Sequence, residues 1–520
     1  MFSKDNALRA GVVVAGILVI AFFWFLFHTM WNTFVHGASR FLVGSQAALA
    51  VILVGVIVAG AAFYLNDTYE RLSISLFIGG ALLVIAGFIG GGALSSYWNT
   101  HSLYEASKTT VAVDGDNQSF KSRVPYEVAV GTSGANLGDN TGDVTGKVKS
   151  IPGSGQYTTS VIRRGWFKGY EATQVLSLPE YGQPNISNDV KFCKFNEDKA
   201  PYRLGGSWWS NNLTYRILNA AGGWTTWFEN EDVSVVCNEK GEPVLYAPIV
   251  KSEIGFLSSH DVPAGVVTYN GATGEIQYHK EMSSVNGVSL YPASLAAKQR
   301  EATHTANGFA DYVFNRAGWE DTSKDEDDPN SENPTEFGMV TTGGVIQYVT
   351  PLTPRGESKS IVAISTVNAG DNKYGQLAQL NVHKYKTARQ ATSTVKSNVM
   401  ANGLGGQKTN LDVFEVVPSQ NGEWTATIGQ RQTVVYRATI AGDDSITLLD
   451  SSGKTVFTNR ANDSNTTDQS KSGEAKDSGD ASKSDAGRDL SSMSVDELKQ
   501  LSDDVTKELS DRAKAKPDGK

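Results

Sequence analysis

The sequence predicts three N-terminal transmembrane α-helices, a β-rich α+β extracytoplasmic region and a disordered C-terminal tail with a short helix. Three observations predict this fold class: long uncharged apolar runs, short strand-like segments separated by turns, and a polar end of low complexity. The 520 residues include 46 basic and 55 acidic side chains, a net charge of −9. Only 19% of residues are charged, below the roughly 25% of ordinary soluble proteins, because residues 1–104 contain few charges. This pattern excludes a plain cytosolic globule, a transporter built mostly of membrane helices and a basic nucleic-acid binder.

Residues 1–104 form the predicted membrane anchor. Apolar runs predict spans at about 10–30, 44–66 and 73–95, each near the ~20 residues that cross a bilayer. Aromatic residues near the ends of the runs and small residues at four-residue spacing are typical of closely packed membrane helices. Buried core helices of a soluble domain are the alternative. The lipid bilayer is the first predicted partner, and self-association through the membrane helices is a second interpretation.

Three spans place the two termini on opposite sides of the membrane. Lys4, Arg9 and Arg71 then lie on one side, and Arg40 and Lys108 lie on the other. Because short cytoplasmic segments carry an excess of Lys and Arg, the N-terminus is predicted to be cytoplasmic and the large domain extracytoplasmic. The predicted localisation is therefore the cell membrane, with a multi-pass topology.

The soluble region is predicted as two β-rich lobes, residues 105–321 and 335–460, joined by a solvated acidic loop at 322–334. Runs rich in Val, Ile, Thr and Tyr alternate with Gly, Asn and Asp turns, which is the pattern of strands. The composition of residues 292–316 predicts a helix, and residues 411–457 predict a small barrel or a β-meander. The predicted strands include residues 124–130, 144–151, 190–195, 212–218, 232–237, 242–250 and 265–270.

One hairpin is legible in detail. In VVTYNGATGEIQYH (266–279), two strands flank a turn whose glycines permit positive φ. Together with the strand EPVLYAPIV (242–250), it resembles the hairpins of PepSY-like domains and of a group of uncharacterised bacterial membrane proteins. Residues 343–371 are a candidate for a degenerate second copy. The resemblance implies a binding or regulatory module, sometimes an inhibitor of peptidases, and brings no catalytic residues; a plain structural hairpin is the alternative.

Cys193 and Cys237 are the disulfide candidate. They are the only cysteines of the chain, and both lie in predicted strands. An exported domain favours their oxidation, which would stabilise the fold by ~2–4 kcal/mol; two buried thiols are the alternative. Because no CxxC and no Cys/His ligand spacing occurs, no metal site is predicted.

No catalytic residue and no cofactor is predicted either. The chain contains no HExxH, GxSxG, P-loop or dinucleotide-binding motif in its proper context. His260 and Asp261 read as a loop dipeptide, and His279 ends the hairpin. With His304 elsewhere in the sequence, no catalytic set is evident.

Four tryptophans within residues 208–228 form a ligand-platform candidate. Clustered aromatic side chains bind ligands or lie against a bilayer surface, but packing in the core of a Trp-rich lobe is the favoured interpretation. The four are Trp208, Trp209, Trp224 and Trp227.

The C-terminal tail has two predicted parts. Residues 461–492 are polar and cannot bury a core, so a disordered linker is expected. Residues 493–515 predict a short amphipathic helix, because a capping box precedes one apolar stripe. That stripe is the partner-helix candidate, formed by Val495, Leu498, Leu501, Val505 and Leu509.

These features predict a multi-pass membrane-anchored protein that presents a non-catalytic extracytoplasmic domain for binding or assembly at the cell envelope. The expected partner is a protein or an envelope polymer, and nucleic acid is not expected. One alternative is an envelope enzyme with a site assembled from sequence-distant residues, which a cleft joining His260, His279 or His304 to a carboxylate would favour. Another is a phage or mobile-element membrane protein.

Overall fold

A computed structural model gives the architecture of most of the chain. The chain divides into two units, Met1–Asp463 and Ser464–Lys520. The second unit, with the predicted partner helix and its apolar stripe, lies outside the described residues. The described residues are 4–65, 69–108, 125–126, 128–130, 142–144, 148–163, 170–177, 190–196, 198–204, 212–285, 287–321, 337–340, 343–356, 363–373, 379–382, 395, 411–418, 423–430, 433–441, 445–450 and 452–459.

Four helices open the chain: α1 (Lys4–Gly44), α2 (Gln46–Leu65), α3 (Glu70–Ile89) and α4 (Gly91–Lys108). Of these, α2 and α3 are long and apolar enough to cross a membrane, and most of their surface is exposed. A core helix of a soluble protein would bury that surface, so the exposure argues for a membrane. In α1 the described apolar stretch is the shorter Val14–Phe23. The described residues therefore contain two long apolar helices and a short apolar stretch near the N-terminus.

Small residues bring α2 and α3 into close contact. A Cβ added to Gly80 would lie 2.6 Å from the backbone nitrogen of Ala59, and one added to Gly87 would lie 2.5 Å from the side chain of Ile52. Near the other end of the pair, the Ser73 hydroxyl donates to the Ala62 carbonyl at 2.7 Å. The four-residue spacing of small residues thus serves backbone packing between the two helices, as such spacing commonly does in membranes.

The strands follow in chain order, and every strand pair among the described residues is antiparallel. They are β1 (Gly142–Val144), β2 (Lys149–Ile151), β3 (Gln156–Arg163), β4 (Tyr170–Ser177), β5 (Val190–Lys194), β6 (Thr226–Trp227), β7 (Ser234–Cys237), β8 (Pro243–Ile254), β9 (Ser259–Asn270), β10 (Ile276–His279), β11 (Met282–Ser283), β12 (Trp319–Asp321), β13 (Phe337–Val340), β14 (Ile346–Pro354), β15 (Ala363–Asn368), β16 (Asp371–Asn372), β17 (Gln379–Val382), β18 (Asp412–Pro418), β19 (Trp424–Gln430), β20 (Thr433–Ile440), β21 (Ile446–Asp450) and β22 (Thr455–Asn459).

These strands form four five-stranded sheets and one two-stranded ribbon within the described residues. The first sheet contains β1–β5 and the second contains β6–β10. The third contains β12–β15 with β17, and β11 pairs with β16. The fourth is a simple meander in the order β18 to β22, so of the two arrangements predicted for residues 411–457 the meander is the one observed.

The long β8–β9 hairpin organises the second sheet. Its outer neighbour β10 pairs with β9, with Tyr269 opposite Ile276, as the hairpin prediction expects. Gly274 in the connecting turn has φ +80°, and a Cβ there would lie 2.0 Å from the Lys199 carbonyl oxygen. Glycine is therefore required at Gly274 both by backbone conformation and by space.

A short helix, α5 (Leu213–Ala221), packs on this sheet where the sequence predicted a strand over 212–218. That strand prediction is wrong. The Asn212 side chain accepts a hydrogen bond from the Tyr215 amide at 3.0 Å and so caps the helix. Leu213, Ile217 and Leu218 are all buried in the same core. This i, i+4, i+5 spacing fits one face of a helix, whereas a strand would point the adjacent Ile217 and Leu218 to opposite sides.

The remaining helices are shorter than the sequence suggested. Within the predicted helical stretch 292–316, the structure has α6 (Ala293–Glu301), a 3-10 turn at Ala302–Thr305 and α7 (Phe309–Val313). The predicted strand over 124–130 is also wrong, since residue 126 and residues 128–130 are helical.

The residues assigned to two predicted lobes share packing. One hydrophobic cluster joins the end of α4, the second sheet, α6 and the third sheet, and the β11–β16 ribbon links residues 282–283 with 371–372. The cluster comprises Leu103, Val250, Tyr291, Leu295, Ala296, Ala302, Ile346, Tyr348, Val367 and Ala369. The α4 helix therefore enters the core of the domain that it carries.

Candidate functional site

The most developed polar site lies where the N-terminal helices meet the β-rich domain. We call it the anchor–domain junction. It comprises residues 36–46 at the end of α1 and the start of α2, residues 95–103 of α4, and residues 250–262 of the β8–β9 hairpin. Ion pairs and hydrogen bonds between these segments fix the position of the domain relative to the helices.

Asp261 on β9 is the centre of the junction. Its Oδ2 atom lies 3.0 Å from Nη2 of Arg40 and 3.2 Å from Nζ of Lys298, and its Oδ1 atom accepts a hydrogen bond from the Ser252 hydroxyl at 2.7 Å. Arg40 also reaches Oε1 of Glu229 at 3.4 Å. One arginine of α1 is thus held by two carboxylates of the domain.

The charges around Asp261 decide its ionisation. Burial raises the pKa of Asp261, but Arg40, Lys298 and the Ser252 hydroxyl together outweigh burial, so the pKa lies below its ordinary value. A carboxylate that stays ionised while mostly buried needs such partners. The lowered pKa means that the Asp261 carboxylate keeps its charge, and its ion pair with Arg40, to a lower pH than an ordinary aspartate would.

Asn99 on α4 links the turn between α1 and α2 to the same hairpin by hydrogen bonds. Its Nδ2 donates to the Gly44 carbonyl at 2.6 Å, and its Oδ1 accepts from the Ser259 amide at 2.8 Å. The Ser259 hydroxyl donates to the Val43 carbonyl at 3.3 Å. One amide side chain therefore connects three separate segments.

The end of α1 also contacts the strand β6 and the loop before it. The Nδ1 atom of His36 lies 3.3 Å from the Thr226 carbonyl, and the Ser39 hydroxyl donates to the Trp224 carbonyl. The Arg40 guanidinium lies 5.8 Å from the ring centroid of Trp227, within cation–π range.

The four predicted platform tryptophans separate in the structure. Trp227 is partly buried and packs against the core, as the core-packing interpretation expects. Trp224 is 80% exposed in the loop beside α1. Trp208 and Trp209 lie outside the described residues. The described pair does not form a shared ligand platform.

His260 takes part in the junction, inside strand β9 and not in a loop as the sequence suggested. Its Nδ1 lies 2.9 Å from the Ser102 hydroxyl and its Nε2 lies 3.8 Å from Oε2 of Glu253. Burial lowers the pKa of His260, and Glu253 and Asp261 only partly oppose this effect. A serine, a histidine and a carboxylate therefore meet, although 3.8 Å is too long for a hydrogen bond.

The other two singled-out histidines have local contacts. Nε2 of His279 lies 3.2 Å from the Thr268 hydroxyl, across the β9–β10 pair. His304 contacts the Glu301 carbonyl and stacks on Tyr312 with 4.6 Å between ring centroids. The structure thus keeps the three histidines in separate environments. Among the described residues, no three His, Cys, Asp or Glu side chains cluster closely enough to hold a metal ion.

The two cysteines are joined. Cys193 at the end of the first sheet and Cys237 at the end of β7 form a disulfide across 44 residues of sequence. The bond ties the first sheet to the second.

A second group of charges is buried near α6. Asp232 accepts hydrogen bonds from the Ser294 amide at 2.9 Å and hydroxyl at 2.5 Å, so it caps the first turn of α6 from 62 residues away. Burial raises the pKa of Asp232, opposed by Lys149 and Ser294. Burial lowers the pKa of Lys149 to about 8, opposed by Asp232 and Glu231. The capping role accounts for the burial of Asp232.

No protein-family model matches the chain, and no curated protein or solved structure is significantly similar to it.

Sequence reasoning missed the central pair of the junction. Arg40 is the only Lys or Arg between Arg9 and Arg71, which is a signal of a specific role. Asp261 was considered only as the neighbour of His260 in a predicted loop. Their separation of 221 residues is the reason that no local pattern connects them.

Proposed function

We propose that this protein is a multi-pass membrane protein that holds a disulfide-bonded, non-catalytic domain against the outer surface of the cell membrane, where the domain binds a protein or an envelope polymer. The observation that carries the proposal is the anchor–domain junction. Arg40, Asp261 and Asn99 join apolar helices to the domain by ion pairs and hydrogen bonds. A junction that fixes the domain's orientation relative to the helices suits a domain that presents a binding surface better than a flexible tether does.

The proposed topology has three spans, formed by α1, α2 and α3. The ends of α1 and α2 that contact the domain lie near residues 43–46. The opposite ends of α2 and α3 carry Arg71, and the start of α1 carries Lys4 and Arg9. On the domain side Arg40 is ion-paired. The excess of basic residues away from the domain supports a cytoplasmic N-terminus and an extracytoplasmic domain, and the disulfide agrees with an oxidising compartment.

The PepSY-like resemblance supports the same class of function. Its hairpin corresponds to β9 and β10, extended by β8 into a three-stranded meander. The turn around Thr273 is exposed and lies at the end of this meander opposite the junction. We propose this turn as the presenting surface.

Photo-crosslinking in the native envelope tests the proposal. A photoreactive amino acid is placed in the full chain at Thr273, and a second variant carries it at Ile57 in α2 as a control for collisions within the bilayer. One adduct of defined mass at Thr273, absent at Ile57, is the expected result. No adduct at Thr273 or at other exposed domain positions, combined with turnover of a substrate by the purified chain, would contradict the proposal.

A second candidate, an envelope enzyme, is supported by the meeting of Ser102, His260 and Glu253. In a hydrolytic triad the acid orients the histidine through a hydrogen bond, and the 3.8 Å separation here does not provide one. The lowered pKa of His260 also makes it a weaker base. These two features place the enzyme second.

Ester hydrolysis distinguishes the two candidates. The full chain in lipid nanodiscs is assayed with short-chain nitrophenyl esters, alongside Ser102→Ala and the matched control Ser75→Ala on α3, whose hydroxyl donates only to the local Arg71 carbonyl. A rate that Ser102→Ala abolishes and Ser75→Ala preserves would establish the enzyme. Rates equal in all three proteins support the presenting function.

A further inference from the structure

The last turns of α1 have two different faces. A helix turns by about 100° per residue, so the residues that contact the domain share one side: His36, Ser39, Arg40 and Val43. Phe41 and Leu42 lie on the opposite side and are 69% and 53% exposed. The polar side of this segment is covered by the domain, and the apolar side is bare.

The tip of the β8–β9 hairpin presents a second bare apolar group next to this face. We define the hairpin tip as residues 254–257. Ile254 is 63% exposed and Phe256 is 90% exposed, and the tip is held in shape by a hydrogen bond from the Gly255 amide to the Ser258 carbonyl at 2.8 Å. Large apolar side chains held at a rigid tip without cover from the chain itself mark a contact with something else.

The position of the tip identifies what covers it. The Gln46 side chain donates to the Ser258 carbonyl at 3.3 Å, and Gln46 is the first residue of α2. The 20 residues of α2 extend about 30 Å, which is the thickness of the hydrocarbon layer. The tip therefore lies level with the end of a helix that fills the bilayer.

We propose that the hairpin tip and the Phe41–Leu42 face of α1 form one lipid-contacting surface that enters the boundary between headgroups and acyl chains on the domain side of the membrane. The end of α1 then lies between domain and lipid, with its polar side toward the domain, as interfacial helices do. Trp224 is 80% exposed and lies next to the same end of α1, where its carbonyl accepts a hydrogen bond from the Ser39 hydroxyl. Tryptophan prefers the headgroup zone of a membrane.

This inference rests on the proposed membrane anchoring and adds a second, shallower lipid contact made by the folded domain. Its consequence is that the domain is seated on the bilayer by the hairpin tip as well as by the helices. The presenting end of the same hairpin, near Thr273, is then about 40 Å from the lipid, since β8 has 12 residues at about 3.3 Å each.

Depth-dependent fluorescence quenching tests the inference on the full chain. Because the native cysteines are joined to each other, an environment-sensitive dye can be attached to one new cysteine at a time. The variants are Phe256→Cys at the tip, Phe41→Cys on the apolar face of α1, Thr273→Cys at the far end of the hairpin and Ile57→Cys in the middle of α2. Each is reconstituted in vesicles of phosphatidylcholine and phosphatidylglycerol that contain lipids spin-labelled on the headgroup, near the top of the acyl chain or near its end.

The expected result is that the dyes at Phe256 and Phe41 are quenched most by spin labels near the top of the acyl chain, the dye at Ile57 most by those near its end, and the dye at Thr273 by none. Quenching at Ile57 without acyl-chain quenching at Phe256 would overturn the inference and leave the anchor intact. A blue-shifted but unquenched dye at Phe256 would assign the tip to a protein contact and would also overturn it. An unquenched dye at Ile57 would refute the membrane anchor itself, and the lipid surface with it.

Discussion

The Arg40–Asp261 ion pair gives the sharpest test of the junction. Its atoms are 3.0 Å apart, and the two side chains are 24% and 14% exposed. Exposed pairs contribute up to about 1 kcal/mol, whereas removing one partner of a fully buried pair costs about 3–5 kcal/mol. The intermediate burial here predicts that Asp261→Asn destabilises the domain by about 2 kcal/mol, because Arg40 and Lys298 each lose a charged hydrogen-bond acceptor.

A double-mutant cycle isolates the pair itself. The free energy of unfolding by urea is measured in lipid nanodiscs by tryptophan fluorescence for wild type, Arg40→Met, Asp261→Asn and the double variant. The predicted coupling energy is about 1.5–2 kcal/mol. The matched control is Arg40→Met with Glu229→Gln, since the same arginine meets Glu229 at a longer 3.4 Å and at a more exposed carboxylate. The coupling energy in that control cycle should be below about 1 kcal/mol.

Equal coupling energies in the two cycles, or a coupling energy near zero for Arg40 and Asp261, would contradict the predicted role of this ion pair. The first result would mean that the contacts differ less than their geometry indicates. The second would mean that the end of α1 is not docked on the domain.

Three further predictions concern the disulfide, the buried histidine and the helix pair. Cys193→Ala combined with Cys237→Ala should lower the free energy of unfolding by about 2–4 kcal/mol, seen as a lower urea midpoint that added reductant no longer changes; an unaltered midpoint would contradict the bond's role. Burial lowers the pKa of His260 in the folded state. The stability that neutral His260 contributes is therefore complete above its unfolded pKa of about 6.5 and is lost as pH falls toward the folded value. His260→Asn should reduce the drop in melting temperature on acidification, and an unchanged dependence of melting temperature on pH would contradict this. Gly80→Val should lower the thermal stability of the helices in mild detergent, because a Cβ there would lie 2.6 Å from the Ala59 nitrogen, while Gly79→Val should not, because nothing lies within 4 Å of its Cβ position; equal effects would exclude the proposed packing.

Local sequence signals predicted several elements well. The turn after β9 contains Gly274, whose φ of +80° no β-branched residue adopts readily, and the hairpin follows from that turn. The apolar lengths of α2 and α3 are visible because a bilayer demands about 20 uncharged residues. These predictions succeeded because each depends on contacts or solvation within one short segment.

Other elements depended on competition that the sequence pattern did not resolve. The run at 212–218 is rich in strand-favouring residues, yet it forms a helix. The Asn212 side chain caps it, and the buried set Leu213, Ile217 and Leu218 fits one helix face. For the junction the reason is different. Asp261 and Arg40 meet only after β8 and β9 have paired and α1 has docked, so their proximity is a property of the tertiary fold.

The side of the membrane on which the domain lies tests the central claim most directly. Single cysteines are introduced at Thr273 in the domain and at Tyr69 at the opposite end of the helix pair, which leaves Arg71 in place. Intact cells are then treated with a membrane-impermeant maleimide. The native cysteines do not react while they are joined to each other. We expect labelling at Thr273 in intact cells and labelling at Tyr69 only after permeabilisation. Labelling of both positions under the same condition, or the reverse order, would contradict an anchor that spans the membrane and exports the domain.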